Sequence, residues 1–481
     1  MGHSPPGRSR PRVTVVIPSW NGRGLLESCL EALEAAYQRT GLPDAVLVVD
    51  NGSEDGTMEW LRDLGKPRVS CLPLARNHGF AFACNRGVEA AESEWILILN
   101  NDTIPAPRMV QKLMEAEERE GNAAVPLLCA PVANYVKGKQ LIPLLAGEDE
   151  NSVSAIEARL ADCAEGMVED VRELSGLCLL LRRKHYLDLG GFDERFGLGN
   201  FEDDDLCFRF RRMGGRLLIV RDSYVHHLGN RTFIALGMDY EKDLEEKRQV
   251  FLKKWERDPL FLLEKHSLEW EASQFLPSLE RAQLPSDQTP WLRRLQAKTY
   301  GALDQPQRAL LAWREYLGHC PKDTEARSTE ALLLFQMGRS LEARKTLSRT
   351  LDECWFGPVF AASLLTQVAR QLHHEAPGEA EDYLRYALDI RPDFVPGLNL
   401  KAVWAIEQGR FQEAEHILQP FRQKEDPDLW NNLGIALYQQ GKAPEALEAF
   451  SEAARRGGPQ SPAARNLEAL LTTGKQPPER P

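Results

Sequence analysis

Five alanines, Ala309, Ala343, Ala380, Ala414 and Ala446, recur at spacings of 34, 37, 34 and 32 residues. Each is followed four residues later by a large side chain: Trp313, Leu347, Leu384, Leu418 and Phe450. Positions i and i+4 share one face of a helix. The small residue lets two helices approach, and the large one fills the gap to the next pair. A unit of this period cannot bury its apolar face alone, so neighbours must stack, and about three copies suffice. The sequence therefore predicts an all-α solenoid over residues 291–470. Its clearest copy holds Trp430, Leu433, Gly434, Ala446, Phe450 and Ala453.

The preceding half reads differently. VTVVIP (13–18), AVLVVD (45–50), WILILN (95–100) and RLLIV (216–220) are short apolar runs of strand type, separated by amphipathic stretches such as 22–37 and 57–64. Continuous apolar runs alternating with helical pattern predict an α/β domain with a mostly parallel sheet covered on both faces. We place it at 12–235, followed by a charged helical connector at 236–290. The ends, 1–11 and 471–481, read as disordered tails.

Composition narrows the functions. The net charge of −12 argues against nucleic acid as the main partner. No apolar run approaches the ~18 residues of a membrane span, and the first eleven residues lack the apolar core of a signal peptide. Nine scattered cysteines, with no CxxC spacing, fit reduced thiols. The expectation is a cytoplasmic protein, peripheral at the inner face of a membrane if its acceptor is a lipid.

Four polar stretches follow or border the strands. Asp50 ends an apolar run and opens the turn DNGSEDGT (50–57), where a carboxylate can accept from a ribose hydroxyl or a base N–H. WILIL runs into Asn100, Asn101 and Asp102. A divalent cation bridging a diphosphate takes most ligands from phosphate and water, so one strand-end carboxylate suffices. Glu202, Asp203, Asp204 and Asp205 begin a helix whose buried stripe is Leu206, Phe210 and Met213. Four consecutive acids exceed what capping needs, and their repulsion favours a raised pKa suited to a general base. RDSYVHHLGNRTF (221–233) offers His226 and His227 as neutral imidazole ligands.

Together VTVVIPSWN (13–21), VVDNGSEDGT (48–57), ILNNDT (98–103) and GGFDERF…FEDDDLCFR (190–209) resemble a family 2 glycosyltransferase of GT-A fold, and NHGFAFACNRG (77–87) resembles its donor-binding loop. The C-terminal period resembles tetratricopeptide repeats. The first resemblance implies inverting single-displacement transfer of a hexosyl or deoxyhexosyl unit from a UDP-, dTDP- or GDP-sugar. It assigns Asp50 to the nucleoside and Asp102 to Mn²⁺ or Mg²⁺, with Asn100-Asn101-Asp102 standing where the family has DXD. It makes Asp203 of the Glu202-Asp203 pair the catalytic base, with Asp205 its competitor, and one of His227 and His226 a metal ligand, His227 being preferred. Pro18, Ser19, Asn21, Asn77, Asn85 and Asn101 are expected at the nucleotide, and Ser175 and Gly176 near the donor sugar. The insertion at 126–172 is expected to meet the acceptor, a protein, peptide or glycan that the repeat arm helps bind. The alternatives are a degenerate transferase fold serving as a repeat-based scaffold, and a nucleotidyltransferase, for which PSWNGRG (18–24) is a short triphosphate loop.

Overall fold

The computed structural model describes residues 12–121, 125–145, 147–229, 240–353 and 357–473. The sequence-predicted tails lie outside these residues, save Arg12 and 471–473.

The N-terminal half builds strands β1 (Val13–Ser19), β2 (Ala45–Asp50), β3 (Val69–Pro73), β4 (Trp95–Leu99), β5 (Thr103–Pro105), β6 (Leu127–Ala133), β7 (Val168–Val171), β8 (Cys178–Arg182) and β9 (Arg216–His227). Its helices are α1 (Arg23–Thr40), α2 (Thr57–Asp63), α3 (Phe80–Ala90), α4 (Met109–Glu120), α5 (Val153–Ala164), α6 (Arg183–Asp188) and α7 (Glu202–Arg212). One sheet runs β3-β2-β1-β4-β8-β6-β9-β5, with β7 also on β9. Its strands β1, β2 and β4 are buried along nearly their whole length, which is why they read as unbroken apolar runs. Close packing explains some small residues: a Cβ on Gly87 of α3 would stand 2.4 Å from Val16 Cγ1.

The sheet is mixed. Parallel pairing holds through β3-β2-β1-β4 and between β6 and β9, while β8 runs antiparallel to β4 and β6, and β5 and β7 antiparallel to β9. A strand buried on both faces shows the same apolar run whichever way it points, so direction is not written in its pattern. What positions the site is the parallel part. There β1, β2 and β4 all end at one edge, delivering Ser19, Asp50 and Asn100–Asp102 side by side.

Helix α8 (Tyr240–Trp255) and the helices Pro259–Glu269 and Ala272–Arg281 follow β9. The chain then divides into two compact units, Met1–Glu330 with Lys345–Trp355, and Ala331–Arg344 with Phe356–Pro481. In the first unit, the stretch that follows the helical pair Thr289–Ala302 and Pro306–Leu317 is tied to the sheet through β7. Asp170 accepts from Arg216 at 2.8 and 2.9 Å and from the Lys322 N–H at 2.8 Å, and Glu169 accepts from Thr324 Oγ1 at 2.7 Å.

The second unit is all helix. Both of its last hairpins follow the expected packing: Ala414 and Ala446 are fully buried, and a Cβ on Gly434 would stand 2.7 Å from the Phe450 ring. Ala309, Ala343 and Ala380 and all five following large residues are likewise buried. No helix among the described residues is long and apolar enough to cross a membrane.

Candidate functional site

At the edge where β1, β2 and β4 end, a cavity of about 1000 Å³ opens. Pro18, Ser19, Asn77, Asn101, Asp102, Ser175, Gly176, Glu202, Asp203 and His227, ten of the residues singled out in the sequence, line it. They come from six separated stretches of chain.

The turn after β4 fixes Asn101 by a bond from its Nδ2 to Ser19 Oγ, 3.0 Å. Asp102 is buried, and its Oδ1 has no hydrogen-bond partner. Its Oδ2 lies 3.4 Å from His227 Nε2. The other ring nitrogen of His227, Nδ1, stands 2.7 Å from the Tyr135 carbonyl, which can only accept. That contact assigns the proton to Nδ1 in a neutral ring and leaves the Nε2 lone pair facing Asp102. Burial opposes protonation of His227, but the Asp102 carboxylate outweighs it and the pKa is raised. An unsatisfied buried carboxylate oxygen beside an imidazole lone pair suits a divalent cation. Among the described residues no cluster of three or more His, Cys, Asp or Glu side chains has metal-binding geometry. Two protein ligands fit Mg²⁺ or Mn²⁺, which draw the remainder from phosphate and water.

The acidic run opens α7. Asp203 Oδ2 accepts the Gly176 N–H at 2.8 Å, and its Oδ1 accepts the Asp204 N–H at 2.9 Å. A Cβ on Gly176 would come within 3.2 Å of Asp203 Cβ, so the glycine permits this approach. The flanking acids are pushed toward neutrality. Burial, then the charge of Asp203, lifts Glu202 well above the ordinary range. Burial, the charge of Asp203 and that of Glu173 lift Asp204 to about 7.

Five expected residues are placed elsewhere. Asp205 is fully buried and committed: Oδ2 to Arg209 Nε at 2.7 Å, Oδ1 to Lys254 Nζ at 2.6 Å and Trp255 Nε1 at 3.0 Å. It anchors helices and does not line the cavity. His226 bonds Tyr224 through Nδ1 at 3.0 Å, away from Asp102, because neighbours on a strand face opposite sides. Asn85 holds the loop before α7, donating to the Phe192 carbonyl and to Glu194, both at 2.9 Å. Asn21, at φ 48°, joins the two turns by accepting from the Glu54 N–H at 2.7 Å. Asp50 stops just beneath the wall: Ser19, its register partner, and Asn51, its neighbour, line the cavity instead. Its Oδ2 accepts from the Ser53 N–H at 3.2 Å, and its buried Oδ1 has no partner.

Other lining residues were not singled out in the sequence. Asn51 shapes the donor-loop turn, giving Nδ2 to Asn77 Oδ1 at 2.9 Å and accepting the His78 N–H at 3.0 Å. Gln140, in the insertion, accepts the Ser175 N–H at 2.7 Å. Phe251, Phe261 and Glu264 come from the helices after β9. Glu264 takes Arg211 at 2.7 and 3.2 Å and Arg172 at 2.9 Å. Burial alone would lift its carboxyl, but the two guanidinium groups hold it down to about 2. The folded value lies below the ordinary 4.5, so the stabilisation is full above that pH and is lost as pH falls through about 2. Glu264→Ala leaves two arginines without their buried carboxylate, with an expected loss of about 3–5 kcal/mol. Urea unfolding at pH 7 and pH 3 measures it, and the mutant should lose less than the parent on acidification.

One cavity thus brings together a buried strand-end carboxylate, an imidazole and a helix-borne carboxylate, and the chain is a glycosyltransferase. It carries a family 2 glycosyltransferase domain and tetratricopeptide repeats: residues 14–141 match the family described as Glycosyl transferase family 2, and 401–462 a Tetratricopeptide repeat family. It is 29% identical over 269 residues to the N-acetylglucosaminyl-diphospho-decaprenol L-rhamnosyltransferase of Mycobacterium tuberculosis, covering 51% of this chain and 82% of that protein. It is 30% identical over 128 residues to the dolichol-phosphate mannosyltransferase of Pyrococcus furiosus, covering 26% of this chain and 34% of that one. Among solved structures, the Pyrobaculum calidifontis mannosyltransferase PcManGT with GDP-Man and Mn²⁺ matches at 18% identity and TM-score 0.35, over 76% of this chain and 88% of its own.

Proposed function

We propose that the protein is an inverting transferase that moves a sugar from a nucleotide-diphosphate sugar to an acceptor hydroxyl. The observation that carries the reading is one cavity lined by both the Asp102–His227 pair and Asp203. Asn51 and Asn77 hold the nucleoside end, with Asp50 and its unpartnered Oδ1 just beneath them. Asp102 and His227 hold Mn²⁺ or Mg²⁺; when bound, the cation offsets the diphosphate charge. Ser175 and Gly176 border the sugar, beside the carboxylate that the Gly176 N–H aims.

Asp203 takes the proton of the acceptor hydroxyl as its oxygen attacks the anomeric carbon. The bond to the diphosphate oxygen breaks, its electron pair leaves with the nucleotide, and the centre inverts. Ionisation of Asp204 near 7 places a second negative charge beside Asp203, so the pair gains its full charge only as pH rises through that value. Asp204→Asn removes that charge at every pH, and the step in the kcat profile near pH 7 is expected to disappear; an unchanged step would count against the coupling.

The relatives support a saccharide acceptor, lipid-linked in the mycobacterial case. Exposed apolar side chains at the cavity, Tyr135 at 53% and Leu141 at 48%, support an acceptor with an apolar part. The repeats offer a surface for a protein or for the acceptor carrier. The test is a panel of UDP-, dTDP- and GDP-sugars with Mn²⁺, read by donor hydrolysis and thermal shift. One donor should shift the melt and be hydrolysed slowly. Silence from all three nucleotide classes, with and without metal, would point to a scaffold.

A further inference from the structure

We infer that Asp243, on α8 and outside the cavity, is a positioning residue for Asp203, acting through Asn200; the inference rests on the proposed role of Asp203 as base.

The segment leading into α7 is conformationally costly. Gly197, Gly199, Asn200 and Phe201 have φ of 65°, 145°, 70° and 66°. Glycine adopts such angles freely and asparagine tolerates them, but a phenylalanine there is unusual. Phe201 is the residue that caps α7, and its carbonyl accepts the Asp205 N–H at 3.0 Å. Two successive left-handed side-chain residues persist only where their surroundings hold them.

Helix α8 supplies the hold. Asp243 Oδ2 accepts from Asn200 Nδ2 at 2.9 Å, and the Phe251 ring stands 5.6 Å from that of Phe201. Further along, Lys254 and Trp255 grip Asp205. The α7 entrance is thus held on both sides of Asp203. The carboxylate itself is aimed by two bonds, the Asp204 N–H at 2.9 Å from within its own helical turn and the Gly176 N–H at 2.8 Å from outside it, and a small rotation of that turn would break the second. Asp243 has another near neighbour, Lys247, at 3.9 Å, too far for a strong bond, so the contact with Asn200 is the one that matters.

Three variants of the full chain separate positioning from bulk stability. Asp243→Ser keeps a polar residue in the first turn of α8 but is too short to reach Asn200. Asp243→Asn retains an oxygen that accepts the same bond. Asn200→Gly added to Asp243→Ser lets the backbone take its φ without the latch. With whichever UDP-, dTDP- or GDP-sugar the wild type turns over with Mn²⁺, Asp243→Ser should lower kcat about 10-fold or more, since misplacement near 1 Å can cost about 10². The donor KM should stay within about twofold. Asp243→Asn should stay near wild type, and the double variant should regain most of the loss. Hydrogen exchange at the Gly176 amide, read in peptides spanning 174–177, should speed up in Asp243→Ser and not in Asp243→Asn. That readout needs no donor. A wild type inert with every donor would therefore sink the proposed function while exchange still decides the latch. Wild-type exchange in Asp243→Ser, or equal damage from Asp243→Asn, would overturn the inference.

Discussion

Asp203→Asn is expected to abolish sugar transfer while leaving donor binding within about twofold of wild type. The substitution is isosteric, and the asparagine oxygen can still accept the Gly176 N–H that now meets Oδ2 at 2.8 Å. What is lost is a group able to take the acceptor proton, and general-base removal costs about 10²–10⁴ in rate. Donor binding draws on residues from Ser19 to Asp102 and on Ser175 and Gly176, whose contact with residue 203 the isosteric substitution keeps. The contrast with Asp205 makes the experiment sharp. Asp205→Asn loosens bonds to Arg209, Lys254 and Trp255, so its main effect should be a lowered melting temperature. Steady-state kinetics with a donor titration, alongside thermal melts of both variants, checks the pair. A fully active Asp203→Asn would refute the assignment.

The second large effect falls on Asp102→Ala. The carboxylate is buried, with Oδ2 3.4 Å from His227 Nε2 and Oδ1 without a hydrogen-bond partner. Removing it takes away the carboxylate that the proposed cation position draws on. Metal-dependent donor affinity is expected to fall about 100-fold, or ~2.7 kcal/mol. Metal-independent binding of the nucleoside should remain. Titration calorimetry with the nucleoside diphosphate, with and without Mn²⁺, separates the two, and an unaltered metal dependence would contradict the role given to Asp102. His227 changes as well: without the carboxylate, burial is opposed only by the Tyr135 carbonyl, and its raised pKa should fall.

How far the sequence reached depended on whether a residue's neighbours were local. The strands β1, β2 and β4 and the repeat alanines were legible because period and burial are read within a few residues. The acidic run was legible as a cluster but not as individual roles. On a helix, Asp203 and Asp205 point to opposite sides. Only the tertiary neighbours, Gly176 for one and Lys254 with Trp255 for the other, show which faces the cavity. The two histidines posed the same problem on a strand. His227 pairs with Thr103 and His226 with Ile104 across β5 and β9, so register, set by distant residues, decides which meets Asp102. Asn85 sat in a donor-loop motif yet bonds a segment more than a hundred residues away. The helices carrying Asp243, Lys254 and Glu264 read as a charged connector because a carboxylate destined for a buried arginine pair looks like any surface acid. The helical spacing that would have separated Asp203 from Asp205 was present in the sequence; the partners that give it meaning were not.

Crystals grown with the nucleoside diphosphate and Mn²⁺, with anomalous diffraction at the manganese edge, test the central claim most directly. The account predicts one strong peak beside the Asp102 carboxylate and the His227 ring, the two groups that would hold the cation, with the diphosphate supplying further ligands. A peak remote from Asp102, or diphosphate bound in the cavity with no manganese beside it, would contradict it.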